Sequence, residues 1–411
     1  MRLCASLTPP AGGRTLVAMR GRVVVALACG LCLGGAPAVA GAATLEVKSI
    51  GKNDEIFYTA GGGEANRVVA STDGAVLTVR DPGAEVQAGN GCVSVTDHRA
   101  TCGWMGFVPL NVVLKNRADE LRLGSASIRL IADGGPGADR LRGGTLLDHF
   151  DGGRGPDVVI GRGGADVIDY TGRSDDLRVT IGDGRRNDGG SGDGAKRDRL
   201  RSITHVVGGD GDDVLVGNAE ENEIFGYAGA DRIRGLGGAD SLRGGDGRDV
   251  IRGGGGADSS QGMKGNDRML GGRGNDVFTE SFTPEGADLI SGGRGASDSA
   301  VYIYRFDPLL IRLDGKPNDG RCKTPACTAS DEGDNLVGIE EVTGGGAADR
   351  IFGSKRDEYL SPANGADFVR ARGGDDVVAL YNDGDIDNVD CGPGDDQVVG
   401  SPDAFDTNVN C

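Results

Sequence analysis

Aspartates recur at every ninth residue over long stretches of this chain, each set between glycines and an aliphatic residue. The clearest stretch, 208–279, divides into eight blocks of nine that all begin with glycine. The fourth residue is glycine in all but one block, where it is Glu220, and the sixth is aspartate in all but one, where it is Asn222. Carboxylates at a fixed spacing within tight turns are oxygen ligands for a hard divalent cation such as calcium.

The eighth residue of each block indicates how these turns are positioned. It is apolar in seven of the eight blocks, with Ser260 as the exception, and its neighbours are polar or small. This pattern predicts a three-residue strand whose central side chain points inward. Such a short strand must stack on its equivalents about 4.8 Å away, which makes a solenoid with an interior ladder. Stacking also brings the aspartates close together, and a cation is needed to neutralise them.

The blocks resemble the G-G-x-G-x-D-x-U-x nonapeptide of RTX-type, or haemolysin-type, calcium-binding proteins. The resemblance implies a right-handed parallel β-roll, with calcium held between neighbouring turns by the sixth-place aspartates and turn carbonyls. It places Asp213, Asp231, Asp249 and Asp267 along one edge and Asp240, Asp258 and Asp276 along the other. Asn222 and Glu220 depart from the motif, and we expect a weakened or missing site there.

Two further stretches keep the nine-residue period. The first, 134–169, has Asp148 in a degenerate block where Leu146 replaces the fourth glycine. The second starts at Gly344, and its leading glycines give way to Pro362 and Ala371, so we expect coils there but fewer ions. The predicted calcium ligands of the chain are Asp139, Asp157, Asp166, Asp213, Asp231, Asp240, Asp249, Asp258, Asp267, Asp276, Asp349, Asp367 and Asp376.

The predicted fold class is all-β, a right-handed parallel β-roll or β-solenoid with irregular β caps and two β-arm insertions. The predicted segments are a signal peptide (1–40), an N-terminal cap (41–133), repeats (134–169), an insertion (170–207), the repeat core (208–279), a second insertion (280–343), and degenerate repeats with a C-terminal cap (344–411).

The two insertions resemble each other, since both contain D-G-x-x-N-D-G between alternating apolar strands. One hypothesis is an additional calcium or ligand loop, formed by Asp183, Asn187 and Asp188 in the first insertion and by Asp314, Asn318 and Asp319 in the second. The other hypothesis is a β-arm with a polar turn. We favour the polar turn because these are ordinary turn residues.

The N-terminus predicts export. Arg20 and Arg22 precede an apolar run, Val23 to Leu33, and small residues follow, with Met19 as an alternative start. That run is too short to span a bilayer. We therefore expect an extracellular protein, secreted or associated with the cell surface, without a transmembrane segment.

The cysteines agree with an oxidising compartment. Six of them lie beyond the predicted signal peptide in three local pairs, which predicts the disulfides Cys92–Cys102, Cys322–Cys327 and Cys391–Cys411. A zinc site is the weaker alternative because no two of these cysteines have C-x2-C spacing and the three histidines are scattered. Classical RTX proteins carry a C-terminal, uncleaved signal, so disulfides and an N-terminal signal depart from that family's pattern.

The composition and motifs narrow the classes of function that the chain could have. A net charge of −18 argues against a nucleic-acid partner. The chain lacks H-E-x-x-H, G-x-S-x-G and a phosphate-binding loop, so we expect no enzymatic activity. A carbohydrate-active enzyme, whose carboxylates need no sequence motif, stays as one alternative. A calcium-rigidified surface adhesin or cell-wall spacer is the other. We expect the arginines at seventh and ninth places to cover the solvated face of the roll and temper its charge, with a glycan-binding face as the alternative; among them are Arg140, Arg232, Arg234, Arg243 and Arg252.

Overall fold

The structure is a computed structural model that describes residues 42–50, 53–104, 108–124, 127–193, 197–282, 286–322, 327–330, 332–381, 383–400 and 406–411. These residues all belong to one unit, Ala40–Cys411. The predicted signal peptide, 1–40, lies outside the described residues. Among the described residues, no helix is long and apolar enough to cross a bilayer.

The described residues form short strands, numbered here in chain order, and most of them pair in parallel with strands of neighbouring coils. One strand of each coil joins a 17-stranded sheet, here called sheet A. Its strands are β1 (Ala43–Ile50), β2 (Asn53–Thr59), β5 (Val86–Ala88), β8 (Leu110–Val113), β10 (Leu130–Asp133), β12 (His149–Asp151), β14 (Val167–Asp169), β18 (His205–Val207), β20 (Glu223–Ala228), β22 (Ser241–Asp246), β24 (Ser259–Lys264), β26 (Val277–Thr279), β28 (Ser299–Val301), β32 (Glu341–Thr343), β34 (Tyr359–Ser361), β36 (Val377–Leu380) and β38 (Gln397–Gly400).

The other strand of each coil joins one of three shorter sheets. Sheet B contains β3 (Arg67–Asp73), β4 (Val76–Arg80), β6 (Cys92–Thr96), β7 (Arg99–Gly103), β9 (Glu120–Leu123), β11 (Arg140–Arg142), β13 (Val158–Ile160), β16 (Arg186–Asp188) and β17 (Asp198–Arg201). Sheet C contains β15 (Arg178–Thr180), β19 (Val214–Val216), β21 (Arg232–Gly237), β23 (Val250–Gly255), β25 (Arg268–Arg273), β27 (Leu289–Arg294) and β31 (Asn335–Val337). Sheet D contains β29 (Leu309–Arg312), β30 (Gly320–Arg321), β33 (Arg350–Phe352), β35 (Phe368–Arg370), β37 (Asn388–Asp390) and β39 (Thr407–Val409).

Two blocks of nine make one coil. Strand β20 pairs with β22 so that Ile224 lies beside Leu242, and β21 pairs with β23 so that Ile233 lies beside Ile251. Each partner is thus 18 residues further along the chain. The eighth residues point inward as predicted, and they form a continuous buried core between sheet A and the shorter sheets. The predicted all-β solenoid of parallel strands is confirmed.

The two insertions are joints at which one short sheet ends and the next begins. In the first, β15 starts sheet C, and the chain then returns through β16, which pairs antiparallel with β17 at the end of sheet B. In the second, β29 starts sheet D and pairs antiparallel with β30, while β31 ends sheet C. Sheet A runs past both joints without interruption.

Antiparallel hairpins precede the coils. Strand β1 pairs with β2, β3 with β4, and β6 with β7, and the first parallel coils begin at β8 and β9. All three predicted disulfides are present, and Cys92–Cys102 links β6 to β7. The one helical segment among the described residues is a single 3-10 turn, Ser191–Asp193.

Ser260 is a polar residue in the interior ladder. It lies between Leu242 and Phe278 in sheet A, and its buried hydroxyl has no hydrogen-bond partner. A buried hydroxyl without a partner costs about 1 to 3 kcal/mol.

We expect Ser260→Val to raise the free energy of unfolding by about 1 kcal/mol, because valine removes the unpartnered hydroxyl and adds apolar contact. Urea unfolding in the presence of calcium measures this. Ser259→Val is the control, since Ser259 is exposed. A less stable Ser260→Val protein would contradict the description of this core position.

Candidate metal centre

The sixth-place aspartates point into the stack of coils and link each coil to the one before it. The backbone N–H of Asp213 donates to Oδ1 of Asp231 at 2.8 Å, and the N–H of Asp231 donates to Oδ1 of Asp249 at 2.8 Å. These carboxylates are fully buried. The result is a column of carboxylates along each edge of the solenoid, which we call the aspartate columns.

The columns contain all thirteen predicted ligands. The column beside sheet A includes Asp148, Asp166, Asp240, Asp258, Asp276, Asp298, Glu358, Asp376 and Asp396. The column beside the shorter sheets includes Asp119, Asp139, Asp157 and Asp198 at sheet B, Asp213, Asp231, Asp249, Asp267, Asp288 and Asp334 at sheet C, and Asp349, Asp367, Asp387 and Asp406 at sheet D. Consecutive blocks therefore alternate between the two edges, as the resemblance implied.

The second oxygen of most column aspartates has no hydrogen-bond partner. Burying such an oxygen is costly unless a partner or a cation compensates it. We call these side chains open carboxylates. Ten of the thirteen predicted ligands are open: Asp139, Asp157, Asp166, Asp231, Asp240, Asp249, Asp258, Asp276, Asp367 and Asp376.

Two other predicted ligands have both oxygens occupied by the protein. Asp213 accepts from the N–H groups of Leu177 and Gly209, both at 2.8 Å. Asp349 accepts from Leu309 and Gly345 in the same way. We call these capped carboxylates, and Asp148 is a third example. Asp213 and Asp349 each stand first in their run of repeats, so a capped turn begins two of the three runs, whereas the run 134–169 begins with the open Asp139.

The first glycine of each block makes room for the carboxylate. A Cβ added to Gly244 would lie closer to Oδ2 of Asp249 than real Cβ atoms come, and only 2.7 Å from the carbonyl oxygen of Gly262. These first glycines do not have a positive φ, and that conformation occurs at second and fourth places, such as Gly245 and Gly247. The carboxylate oxygen and a turn carbonyl thus converge beside each first glycine.

Burial raises the pKa of the open carboxylates, and the neighbouring carboxylates raise it further. The pKa of Asp231 is raised to about 8, that of Asp157 to about 8 and that of Asp367 to about 9. The pKa values of Asp240 and Asp249 are raised to about 6, again mainly by burial. Without a cation, the ionised form of these groups is therefore disfavoured near neutral pH.

The donor set fits a hard cation. It consists of open carboxylate oxygens and turn carbonyls, which are the ligands calcium prefers. Within the described ranges, no three acidic, histidine or cysteine side chains converge on one point, so backbone carbonyls would have to complete each coordination shell. Asn222 occupies its column place differently, since its Oδ1 accepts from Asn218 and its Nδ2 donates to Thr204.

Several column members fall outside the strict nine-residue register and were missed by the sequence prediction. Asp288 lies 21 residues after Asp267 rather than 18, and Asp298 lies 22 after Asp276. A shorter signal, glycine-x-aspartate-x-aliphatic, is present at 286–290 and would have found Asp288. The insertion of a few residues between coils hid it.

Each joint contains a buried arginine among acidic side chains. Arg173 contacts Asp175 through Nε at 2.9 Å and Asp193 through Nη1 at 3.0 Å. Its Nη1 also donates to the turn carbonyl of Gly153 at 3.1 Å. The guanidinium thus lies among carboxylates and a turn carbonyl, the same kinds of ligand that the repeats offer to a cation.

The second joint repeats this arrangement with Arg305, which is 1% exposed. Its Nη2 contacts Glu332 at 2.6 Å and Glu280 at 3.4 Å. A buried tyrosine accompanies each arginine. Tyr170 donates to Oδ2 of Asp198 and Tyr302 to Oδ2 of Asp334. At the joints, therefore, the protein itself occupies the second carboxylate oxygen.

The D-G-x-x-N-D-G loops form hydrogen-bonded polar turns. Asp183 accepts from the N–H of Arg185 and from the side chain of Asn187, and Asp314 accepts from Lys316 and Asn318. The favoured polar-turn interpretation agrees with this geometry. The following aspartates are buried elsewhere, since Asp188 accepts from Thr180 and Asp319 from Arg312.

The raised pKa values predict how the metal-free protein responds to pH. A carboxyl whose folded pKa lies above its unfolded value favours the fold below the unfolded pKa, near 3.8, and that contribution is lost as pH rises through the folded pKa. The cited values place this loss between about pH 4 and about pH 9. Asp169 and Asp175 have lowered pKa values and therefore favour the fold at higher pH, but many more carboxyl groups have raised pKa values.

We therefore expect the melting temperature in chelator to fall as pH rises from about 5 to about 8. Calcium should reverse this trend because it binds the ionised carboxylates. Scanning calorimetry at both pH values, with chelator and with calcium, measures the effect. A melting temperature that rises with pH in chelator would contradict the burial described for these groups.

Replacing a joint arginine tests the second cluster. We expect Arg305→Gln to lower the free energy of unfolding by about 3 kcal/mol, because it leaves Glu332 and Glu280 buried without their cation. Chemical unfolding in excess calcium measures the loss. Arg356→Gln is the control, since Arg356 is exposed and its ion pair with Glu340 lies at the surface. Equal effects of the two substitutions would show that the buried cluster adds no stability.

Comparison with known families agrees with this geometry. The model of the RTX calcium-binding nonapeptide repeat matches residues 133–168, 147–176, 207–242, 225–260, 234–267, 243–278 and 343–378. These matches together cover less than half of the chain, and they coincide with the three predicted runs. No curated protein matches the chain. The runs of turns that contain the open carboxylates are therefore RTX calcium-binding nonapeptide repeats.

Proposed function

We propose that this chain is a secreted protein whose repeats bind several calcium ions between stacked turns, and that calcium drives the folding of the repeat region outside the cell. The observation that carries the proposal is the set of ten open carboxylates, each buried with one oxygen that has no hydrogen-bond partner. A cation compensates this burial in the way that hydrogen bonds compensate it at the capped carboxylates.

Calcium would be held by the open carboxylates and by turn carbonyls such as that of Gly262. When bound, the ion supplies positive charge between neighbouring coils. A ligand that binds only the folded state stabilises that state by mass action. Extracellular calcium modules bind at about 10⁻⁴ to 10⁻³ M, which suits a chain that stays loosely folded until it is exported.

The proposal makes the chain a binding protein rather than an enzyme. The column carboxylates bond one oxygen to the neighbouring coil and are buried, so they are poorly placed for acid–base work on a substrate. The predicted N-terminal signal peptide and the disulfides support secretion into an oxidising compartment. Cys92–Cys102 and Cys322–Cys327 fix local hairpins or loops, whereas Cys391–Cys411 links the ends of β37 and β39, which stack in successive coils of sheet D.

The test compares an open carboxylate with a capped one. Calcium titration by calorimetry and circular dichroism would be run on the full chain, on Asp249→Asn and on Asp213→Asn. We expect Asp249→Asn to bind at least one ion fewer, because it removes an open carboxylate. Asp213→Asn should keep the full number of ions, since both oxygens of Asp213 already accept backbone N–H groups.

Two outcomes would reject the proposal. One is chelated protein with the same β-sheet signal and melting temperature as calcium-loaded protein. The other is a loss of ions in Asp213→Asn equal to that in Asp249→Asn, because calcium would then not select the open carboxylates.

A further inference from the structure

Sheet C carries positive charge only. Its seven strands contain seven arginines and neither aspartate nor glutamate, although the whole chain has a net charge of −18. The arginines are Arg178, Arg232, Arg234, Arg252, Arg268, Arg273 and Arg294. The sixth-place aspartates beside these strands are buried in the aspartate column, and exposed acids nearby, such as Asp176, Asp210 and Asp212, lie in turns outside the strands. The outer face of the strands themselves therefore presents arginine to solvent.

These arginines are exposed, and none of them forms an ion pair within the part of the chain that the structure describes. Sheet A, on the other side of the buried core, differs from sheet C both in the charge of its strands and in the ion pairs of its cations. Its coil strands carry acidic residues, and their cations Arg243 and Lys264 are paired with Glu223 and Asp246. An arginine that lacks an internal partner retains its donors and its charge for an external anion.

The arginines of sheet C form ordered rows. Along the seventh-place row, Arg178 lies beside Val214, Val214 beside Arg232, Arg232 beside Val250, and Val250 beside Arg268. Arginine and valine therefore alternate from coil to coil. Because neighbouring parallel strands lie about 4.8 Å apart, the guanidinium groups recur every 10 Å or so along the solenoid. Arg234 and Arg252 lie side by side in the ninth-place row.

The row pattern fits an acidic polysaccharide better than a nucleic acid. Phosphates follow one another about 3.4 Å apart along one DNA strand, which is several times denser than these arginines. A polysaccharide with one carboxylate for every two sugars is a sparser polyanion. Its sugar rings also have apolar C–H faces, which can pack against the valines between the arginines.

We propose that the outer face of sheet C binds a linear, carboxylated polysaccharide along the solenoid axis, with Arg232, Arg234, Arg252 and Arg268 contacting its carboxylates. The site is separate from the calcium turns, since these side chains point outward while the aspartate column is buried. Charge complementarity defines the partner, and the valines between the arginines provide packing for uncharged parts of the sugar.

The test measures binding of the calcium-loaded full chain to sodium hyaluronate by calorimetry. The variant replaces Arg232, Arg234, Arg252 and Arg268 with glutamine. We expect its affinity to fall at least about tenfold, because each exposed charge pair contributes a few-fold. Arg243→Gln is the matched control, since Arg243 also occupies a ninth place but lies in sheet A and is paired with Glu223. Its affinity should match that of the unchanged protein.

Two further probes define the chemistry. Hyaluronate with esterified carboxyl groups should not bind, and raising NaCl from about 0.05 to about 0.5 M should abolish binding to the free acid. Single-stranded DNA is the probe for the nucleic-acid alternative and should bind more weakly than hyaluronate.

Any of three results would overturn the proposal: equal binding by the fourfold variant, equal binding of the ester, or tighter binding of DNA. Should the fourfold variant fail to melt cooperatively in calcium, two double variants replace it. These are Arg232→Gln with Arg268→Gln, and Arg234→Gln with Arg252→Gln.

Discussion

The fold depends on one hydrogen bond that is repeated from coil to coil, in which a backbone N–H donates to a buried aspartate of the next coil. That bond uses one carboxylate oxygen and leaves the other facing the protein interior. A buried ionised group is expensive unless each of its oxygens has a partner. The same residue therefore joins the coils and creates the need for a cation. Glycine at the first place of each block follows, because the carboxylate occupies the space that a Cβ would fill.

At the first turns of two repeat runs and at the joints, protein groups rather than a bound cation compensate the second carboxylate oxygen. A glycine N–H caps the second oxygen of Asp213 and of Asp349, and a tyrosine hydroxyl serves Asp198 and Asp334 at the joints. The joint arginines add positive charge among the acids there. At these places a protein group contacts the carboxylate oxygen that calcium would contact at the open carboxylates. Under the proposed function, dependence on calcium is therefore concentrated at the open carboxylates.

The nine-residue period was enough to predict the strand centres, the stacked coils and the positions of the ten open carboxylates, and the family resemblance added the parallel strands and the alternation of edges. It did not predict Asp288 or Asp298, because a few inserted residues break the register while the coil itself continues. The crossing of chains at the joints was also hidden, since it depends on which earlier strand each segment pairs with. The capping of Asp213 by Leu177 is a contact of this kind, 36 residues apart in sequence. The period of the sequence predicts contacts that recur from coil to coil, whereas a contact that occurs only once is found only in the tertiary structure.

Charge is separated across the wall of sheet C, with carboxylates inside and guanidinium groups outside. Asp231 immediately precedes Arg232, and Asp267 immediately precedes Arg268. At a pH above the raised pKa values, where the metal-free column is ionised, it would offset the positive potential of the outer face. Calcium in the turns neutralises that negative charge and leaves the arginines unopposed. Under the two proposals the binding events are therefore coupled, even though the ligands never touch. Linkage then requires that the polysaccharide raise calcium affinity by the same factor by which calcium raises polysaccharide affinity.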